Sequence, residues 1–92
     1  MIKTFKHKGL RNLFENDNRK GIDPQHAEKL LDLLDRLESS VQVEDMKFPG
    51  SGFHALKGDR KGEYSVTVSG NWRLTFTFQD GDAYDVNYED YH

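Results

Sequence analysis

The sequence predicts one α+β domain over residues 1–92: two N-terminal helices packed on one face of a mainly antiparallel sheet of four to five strands. Three observations predict it. Apolar residues recur at helical spacing as far as about residue 39, and from residue 54 the period changes to two. The alternating runs are separated by Ser69-Gly70 and Asp80-Gly81, dipeptides of the kind that join antiparallel strands. A chain of 92 residues buries enough surface for one modest core.

Ile2 to Lys6 alternates apolar and polar residues and predicts a strand joining the sheet. Leu10, Leu13 and Phe14 then fall at helical spacing within Gly9 to Asn16. Asp23-Pro24 predicts the start of the second helix, with Asp as N-cap and Pro at the first helical position, where its missing N–H costs nothing. Ala27, Leu30, Leu31, Leu34 and Leu37 give that helix its apolar stripe to about Ser39, while Asp32, Asp35, Arg36 and Glu38 face water. Val41 to Gly52 is a connector. His54-Ala55-Leu56 is a short strand, and Lys57 to Gly62 is a charged loop carrying two glycines. Tyr64, Val66 and Val68, then Trp72, Leu74, Phe76 and Phe78, then Tyr84, Val86 and Tyr88 define three strands with a strongly apolar face for the helices to cover.

Parity sends Arg73, Thr75 and Thr77 to the opposite, open face, with Ser65, Thr67, Asp85 and Asn87. Arg73 is a candidate phosphate clamp, because a planar guanidinium matches two phosphate oxygens. Taken alone, it reads first as a solvated strand arginine paired with an acid. His54 and Lys57 stand where the short strand enters the glycine loop, and each alone reads as an ordinary loop residue. Asn87-Tyr88-Glu89-Asp90-Tyr91-His92 places aromatic, acidic and imidazole groups beside the last strand. By itself that segment reads as a polar tail, frayed or folded back.

Charge is unevenly spread beneath a net −3. Residues 1–20 hold six Lys/Arg against two acids, and residues 47–73 hold five against two. Residues 21–46 and 74–92 are acidic. Two basic segments therefore allow a local basic patch without a basic protein, and simple surface scatter reads equally well. With no cysteine, a disulfide scaffold, a thiolate zinc site and a cysteine nucleophile are all excluded. The four histidines have no metal-ligand spacing, and His7 and His26 are expected at the surface. No apolar run approaches the length of a membrane span, and residues 1–6 do not resemble a signal peptide. The expectation is a cytoplasmic domain.

Leu56-Lys57-Gly58-Asp59-Arg60, Gly62 to Val68, Asn71-Trp72-Arg73, Gly81-Asp82-Ala83-Tyr84 and the closing Asn87 to His92 together resemble the HigB-type toxins of the RelE superfamily, as do Met1-Ile2-Lys3 and Phe5 to Leu10. The resemblance spans essentially the whole chain and is weakest from Glu15 to Phe53. It implies a ribosome-dependent mRNA endonuclease, free of metal and cofactor, that cuts in the ribosomal A site. It further implies inhibition by a HigA-type helix-turn-helix antitoxin, contact with the 70S ribosome and mRNA, and contact with operator DNA only through the antitoxin. Active-site positions implied by the match are His54, Lys57, Arg73, Asp90, Tyr91 and His92, with Asn71 at a position associated with reading an mRNA base. Relatives often carry a further arginine on the strand before Asn71, where this chain has Thr67, Val68 and Ser69. Arg60 is the candidate replacement. Lys8 and Arg11 are candidate RNA contacts within a basic docking surface that also includes Lys3, Lys6, Arg19 and Lys20.

These residue types suit metal-free RNA cleavage. The 2′-hydroxyl attacks the adjacent phosphorus and the 5′-oxygen leaves, so the protein must supply a base, an acid and charge stabilisation. Histidines serve proton transfer near neutral pH, and His54 and His92 are the candidates. Lys57 and Arg73 would hold the phosphate, Tyr91 would stack on a nucleotide, and Asp90 would orient His92 or a cation. Two other readings are a gyrase-poisoning inhibitor without RNase residues and an inactive toxin kept for operator control with its antitoxin.

Overall fold

The computed structural model describes Met1 to Tyr91. The alternating segments form β1 (His54–Ala55), β2 (Glu63–Ser69), β3 (Trp72–Gln79) and β4 (Asp82–Asp90). They make one sheet in the order β1-β2-β3-β4, each neighbour antiparallel. Asp80 and Gly81 both have positive φ, 53° and 84°, as a two-residue hairpin loop demands. The β2–β3 turn falls on Gly70-Asn71, one residue later than the sequence predicts, because Gly70 is the residue that adopts a positive φ, 55°.

Helices α1 (Lys8–Asn16) and α2 (Ala27–Ser39) cover one face of the sheet. An imidazole caps α1: His7 Nδ1 accepts the Leu10 N–H at 3.0 Å. The second helix begins at Ala27, three residues past Pro24. Asp23-Pro24 opens a turn instead. Its side chain accepts the Gln25 N–H and its carbonyl the His26 N–H, both at 2.9 Å.

That turn swings His26 inward and overturns its expected surface position. His26 is only 6% exposed, and its Nδ1 shares a 2.5 Å hydrogen bond with the Tyr88 hydroxyl. His7 also packs edge-on against Tyr88, so both histidines serve the helix–sheet seam. The stripe of α2 is Leu30, Leu33, Leu34 and Leu37, with Leu33 buried and Leu31 only half-buried. These side chains meet Leu10, Leu13, Val66, Leu74, Phe76 and Val86 in the core.

Two expectations fail at β4 for one reason. Thr75 pairs with Asn87 but Thr77 pairs with Tyr84, so β4 carries an extra residue there. Asp85 takes it up with φ +54°, a bulge. Tyr84 therefore lies on the face of Thr77, not with Val86 and Tyr88, and Ala83 enters the core. The N-terminal segment closes the bulge: Thr4 Oγ1 accepts the Asp85 N–H at 2.8 Å and the Thr4 carbonyl accepts the Val86 N–H at 3.1 Å. Residues 2–5 consequently touch β4 through isolated parallel bridges, Ile2 to Ala83 and Phe5 to Val86, and form no continuous fifth strand.

Candidate active site

Directly paired residues of an antiparallel ladder share a face. His54, Ser65, Thr75 and Asn87 form one row across all four strands, and Thr67, Arg73 and Glu89 form the next. This is the face away from the helices, although Ser65 and Thr75 on it are buried, 2% and 1% exposed, contrary to the fully open face that parity predicts. A cleft of about 230 Å³ is lined there by Gly52, His54, Ser65, Arg73 and Tyr91. Gly52 makes the close approach possible. It has φ +62°, and a Cβ would collide with Thr67 Oγ1. The connector is laid along β2 by the Thr67 N–H to Ser51 carbonyl bond of 2.8 Å, and this delivers His54 to the cleft.

Arg73 Nη1 donates to the carbonyls of Gly70 and Trp72 at 2.6 and 3.1 Å. Those bonds occupy one nitrogen of the fork and anchor the cation at the hairpin end. As far as Tyr91, the closing segment is held rather than frayed. Asp90 pairs with Trp72, and the Tyr91 N–H donates to the Asn71 carbonyl at 2.8 Å. The Tyr91 ring lies 5.4 Å from the Arg60 guanidinium and is 38% exposed, open to a stacking partner.

The remaining expected residues are dispersed. Lys57 lines a neighbouring hollow of about 420 Å³ with Leu56, Lys61 and Tyr64, not the cleft of His54 and Arg73. Register puts Asp90 on the side of Trp72, the helix-covered face, across the sheet from Arg73. Asn71 is exposed at the hairpin tip, where its backbone holds Tyr91. Lys8 and Arg11 sit on α1, on the opposite side of the sheet, and Arg11 pairs with Glu15 at 3.4 Å. His92 lies outside the described residues.

Arg60, the candidate second clamp, is occupied by protein. It donates to both oxygens of Glu89 at 2.8 Å and to both of Glu63 at 2.8 and 3.2 Å. Glu89 also accepts from Thr75 Oγ1 at 2.8 Å and Asn87 Nδ2 at 3.2 Å. The Glu63–Arg60–Glu89 bridge ties the glycine loop to β2, β3 and β4 beneath Tyr91. Sequence reasoning did not single out either glutamate. Strand parity was a usable signal for Glu89, two residues from Asn87 on the same face, but its pairing with Arg60 depends on how the loop folds.

With this geometry in place, comparison with known proteins identifies the family. The family model described as the RelE-like toxin of type II toxin-antitoxin system HigB matches residues 3–92. The chain belongs to this HigB-like toxin family. It is 46% identical over 92 residues to the Endoribonuclease HigB of Proteus vulgaris, covering 100% of both chains. It is 34% identical over 85 residues to Toxin HigB-1 of Vibrio cholerae serotype O1, covering 90% of each. The fold matches YafQ from E. coli strain BL21(DE3), with TM-score 0.57 and 14% identity over 98% of this chain and 91% of that one. It also matches HP0894 of Helicobacter pylori, with TM-score 0.51 and 18% identity over 97% and 96%. Membership of a type II toxin-antitoxin family implies an antitoxin partner. No helix among the described residues is long and apolar enough to cross a membrane.

In this HigB-like toxin the Arg60 bridge makes a pH prediction. Arg60 above all, then Thr75, holds the Glu89 carboxyl below its ordinary value, against the opposing effect of burial. A depressed folded-state value means that the unfolded chain takes up the proton first. The resulting stability is full above the unfolded glutamate value and is lost as pH falls through the folded one. Thermal melts from pH 7 downward should show a shallower acid limb in Glu89→Gln than in the parent. Parallel limbs would contradict the assignment.

Proposed function

We propose that this toxin is a ribosome-dependent endoribonuclease that cleaves mRNA in the ribosomal A site by attack of the RNA 2′-hydroxyl, and that a HigA-type helix-turn-helix antitoxin neutralises it. The observation that carries this reading is the open-face cleft, which sets an imidazole (His54), a guanidinium (Arg73) and an exposed phenol ring (Tyr91) around one hollow. The name of the Proteus vulgaris relative, Endoribonuclease HigB, supports the same activity class.

In the proposed reaction Arg73 takes the non-bridging oxygens of the scissile phosphate and stabilises the charge that builds on them. Lys57 adds a second cation from the neighbouring hollow. His54 and His92 share the transfer of the proton from the 2′-hydroxyl and of the proton to the leaving 5′-oxygen. Tyr91 stacks on a nucleotide and Asn71 meets a base at the hairpin tip. Asp90, across the sheet from Arg73, orients His92 or a neighbouring cation rather than meeting the phosphate. The steps call for no metal or cofactor.

The ribosome accounts for the charge distribution. An enzyme that met free mRNA would benefit from a basic field over the whole molecule. One that meets mRNA on a ribosome needs only a local basic surface. Lys3, Lys6, Lys8, Arg11, Arg19 and Lys20 supply it from the N-terminal segment, α1 and the α1–α2 loop. Such a partner places the toxin in the cytoplasm, and operator DNA is reached only through the antitoxin.

The test compares free mRNA with the same mRNA on programmed 70S ribosomes. Cleavage confined to the ribosome-bound message is expected. Equal cleavage of free mRNA would remove the ribosome dependence, and growth arrest without cleavage in either setting would remove the nuclease.

A further inference from the structure

Arg73 and Glu89 are direct cross-strand partners on the same face. An arginine and a glutamate so placed ordinarily pair with each other. Here they do not share their bonds. Arg73 donates to two backbone carbonyls, while both Glu89 oxygens receive Arg60. We propose that Arg60 is a positioning residue: it withholds the Glu89 carboxylate from Arg73, so that Arg73 meets substrate phosphate instead of a protein acid. The same guanidinium seats the Tyr91 ring at the cleft edge. This deepens the nuclease reading and rests on it for Arg73's phosphate.

The arrangement is specific enough to act this way. The fork of Arg60 engages two carboxylates at once, and both side chains of the Arg60–Glu89 pair are less than one-third exposed, at 30% and 23%. A carboxylate that is partly buried and loses its counter-ion seeks another. The cation across the strand from Glu89 is Arg73. Thr75 and Asn87 bond the Glu89 Oε2 atom, whereas Oε1 receives its hydrogen bond from Arg60. Removing Arg60 therefore leaves a freed acid facing the phosphate clamp.

A purely structural bridge and a withholding bridge differ in the double variant. Arg60→Met should reduce cleavage on programmed ribosomes about tenfold or more, through both kcat and KM, because a freed acid next to a phosphate-binding cation competes with the substrate. Arg60→Met/Glu89→Gln removes the competitor and should recover most of that loss, although it breaks more of the bridge. Melting temperatures confirm that the compared chains are folded, and Arg60→Gln, which also removes the charge, serves the cycle with the same partner if Arg60→Met does not fold. A folded double variant as inactive as the single one would overturn the proposal. A second readout does not depend on nuclease activity. Inorganic phosphate titrated onto the full chain, followed by the Arg73 side-chain NMR signal, should show binding weakened by Arg60→Met and restored by Glu89→Gln. Phosphate binding restored in the double variant, with a parent chain that cuts no RNA, would sink the nuclease reading alone. Cleavage by the parent with no restoration in either readout would sink the role of Arg60 alone.

Discussion

Arg73→Ala is expected to slow cleavage of ribosome-bound mRNA by about 10²–10³-fold, the usual cost of removing one donor aimed at transition-state charge. Three features support so large an effect. Arg73 stands on an inner strand rather than on a loop, so its Cα is fixed by paired neighbours on both sides. Its fork is anchored at one nitrogen by backbone carbonyls. It also lines the cleft that His54 and Tyr91 share. Stability should change little, since the lost bonds go to partly exposed carbonyls. Arg73→Lys keeps the charge but not the planar fork and should fall between parent and alanine variant. Full activity in a folded Arg73→Ala chain would mean that phosphate is held elsewhere.

His54→Ala should cost about 10²–10⁴-fold, the range for one positioned proton transfer. The side chain is exposed on an edge strand of two residues, so the fold should survive the change. A substrate whose leaving 5′-oxygen is replaced by sulfur separates the two proton-transfer roles, because sulfur departs without protonation. Recovery of His54→Ala on that substrate assigns His54 the acid. Persistence of the defect assigns it the base. A loss of only a few-fold on the ordinary substrate would remove His54 from the chemistry.

Much of the frame was legible because it depends on local periodicity. The parity of β3 alone placed Arg73 on the open face, and the leucine spacing of α2 alone placed that helix over the sheet. What escaped depends on contacts distant in sequence. Asp85 becomes a bulge because Thr4, 81 residues away, takes its N–H. That one residue reverses Tyr84. His26 turns inward because Tyr88, 62 residues away, shares a hydrogen bond with it in the core. The candidate site divides in the same way. The family resemblance named His54, Arg73 and Tyr91 as candidates, and the fold lines one cleft with all three. Lys57 and Asp90 have the right chemistry for the cleft, yet loop path and strand parity place one beside it and the other behind it. Arg60 has the clearest form of this lesson. A basic residue in a glycine loop suggests a ligand, whereas two glutamates from β2 and β4 claim it.

In the proposed reaction this cleft cuts RNA through the RNA's own 2′-hydroxyl. That attack is tested most directly by placing a single 2′-deoxynucleotide at the cleaved position of an mRNA held in the A site. The parent toxin should leave this message intact while cutting the all-ribose control to a 2′,3′-cyclic phosphate and a 5′-hydroxyl. Cleavage of the deoxy message at the control rate would contradict the 2′-hydroxyl attack.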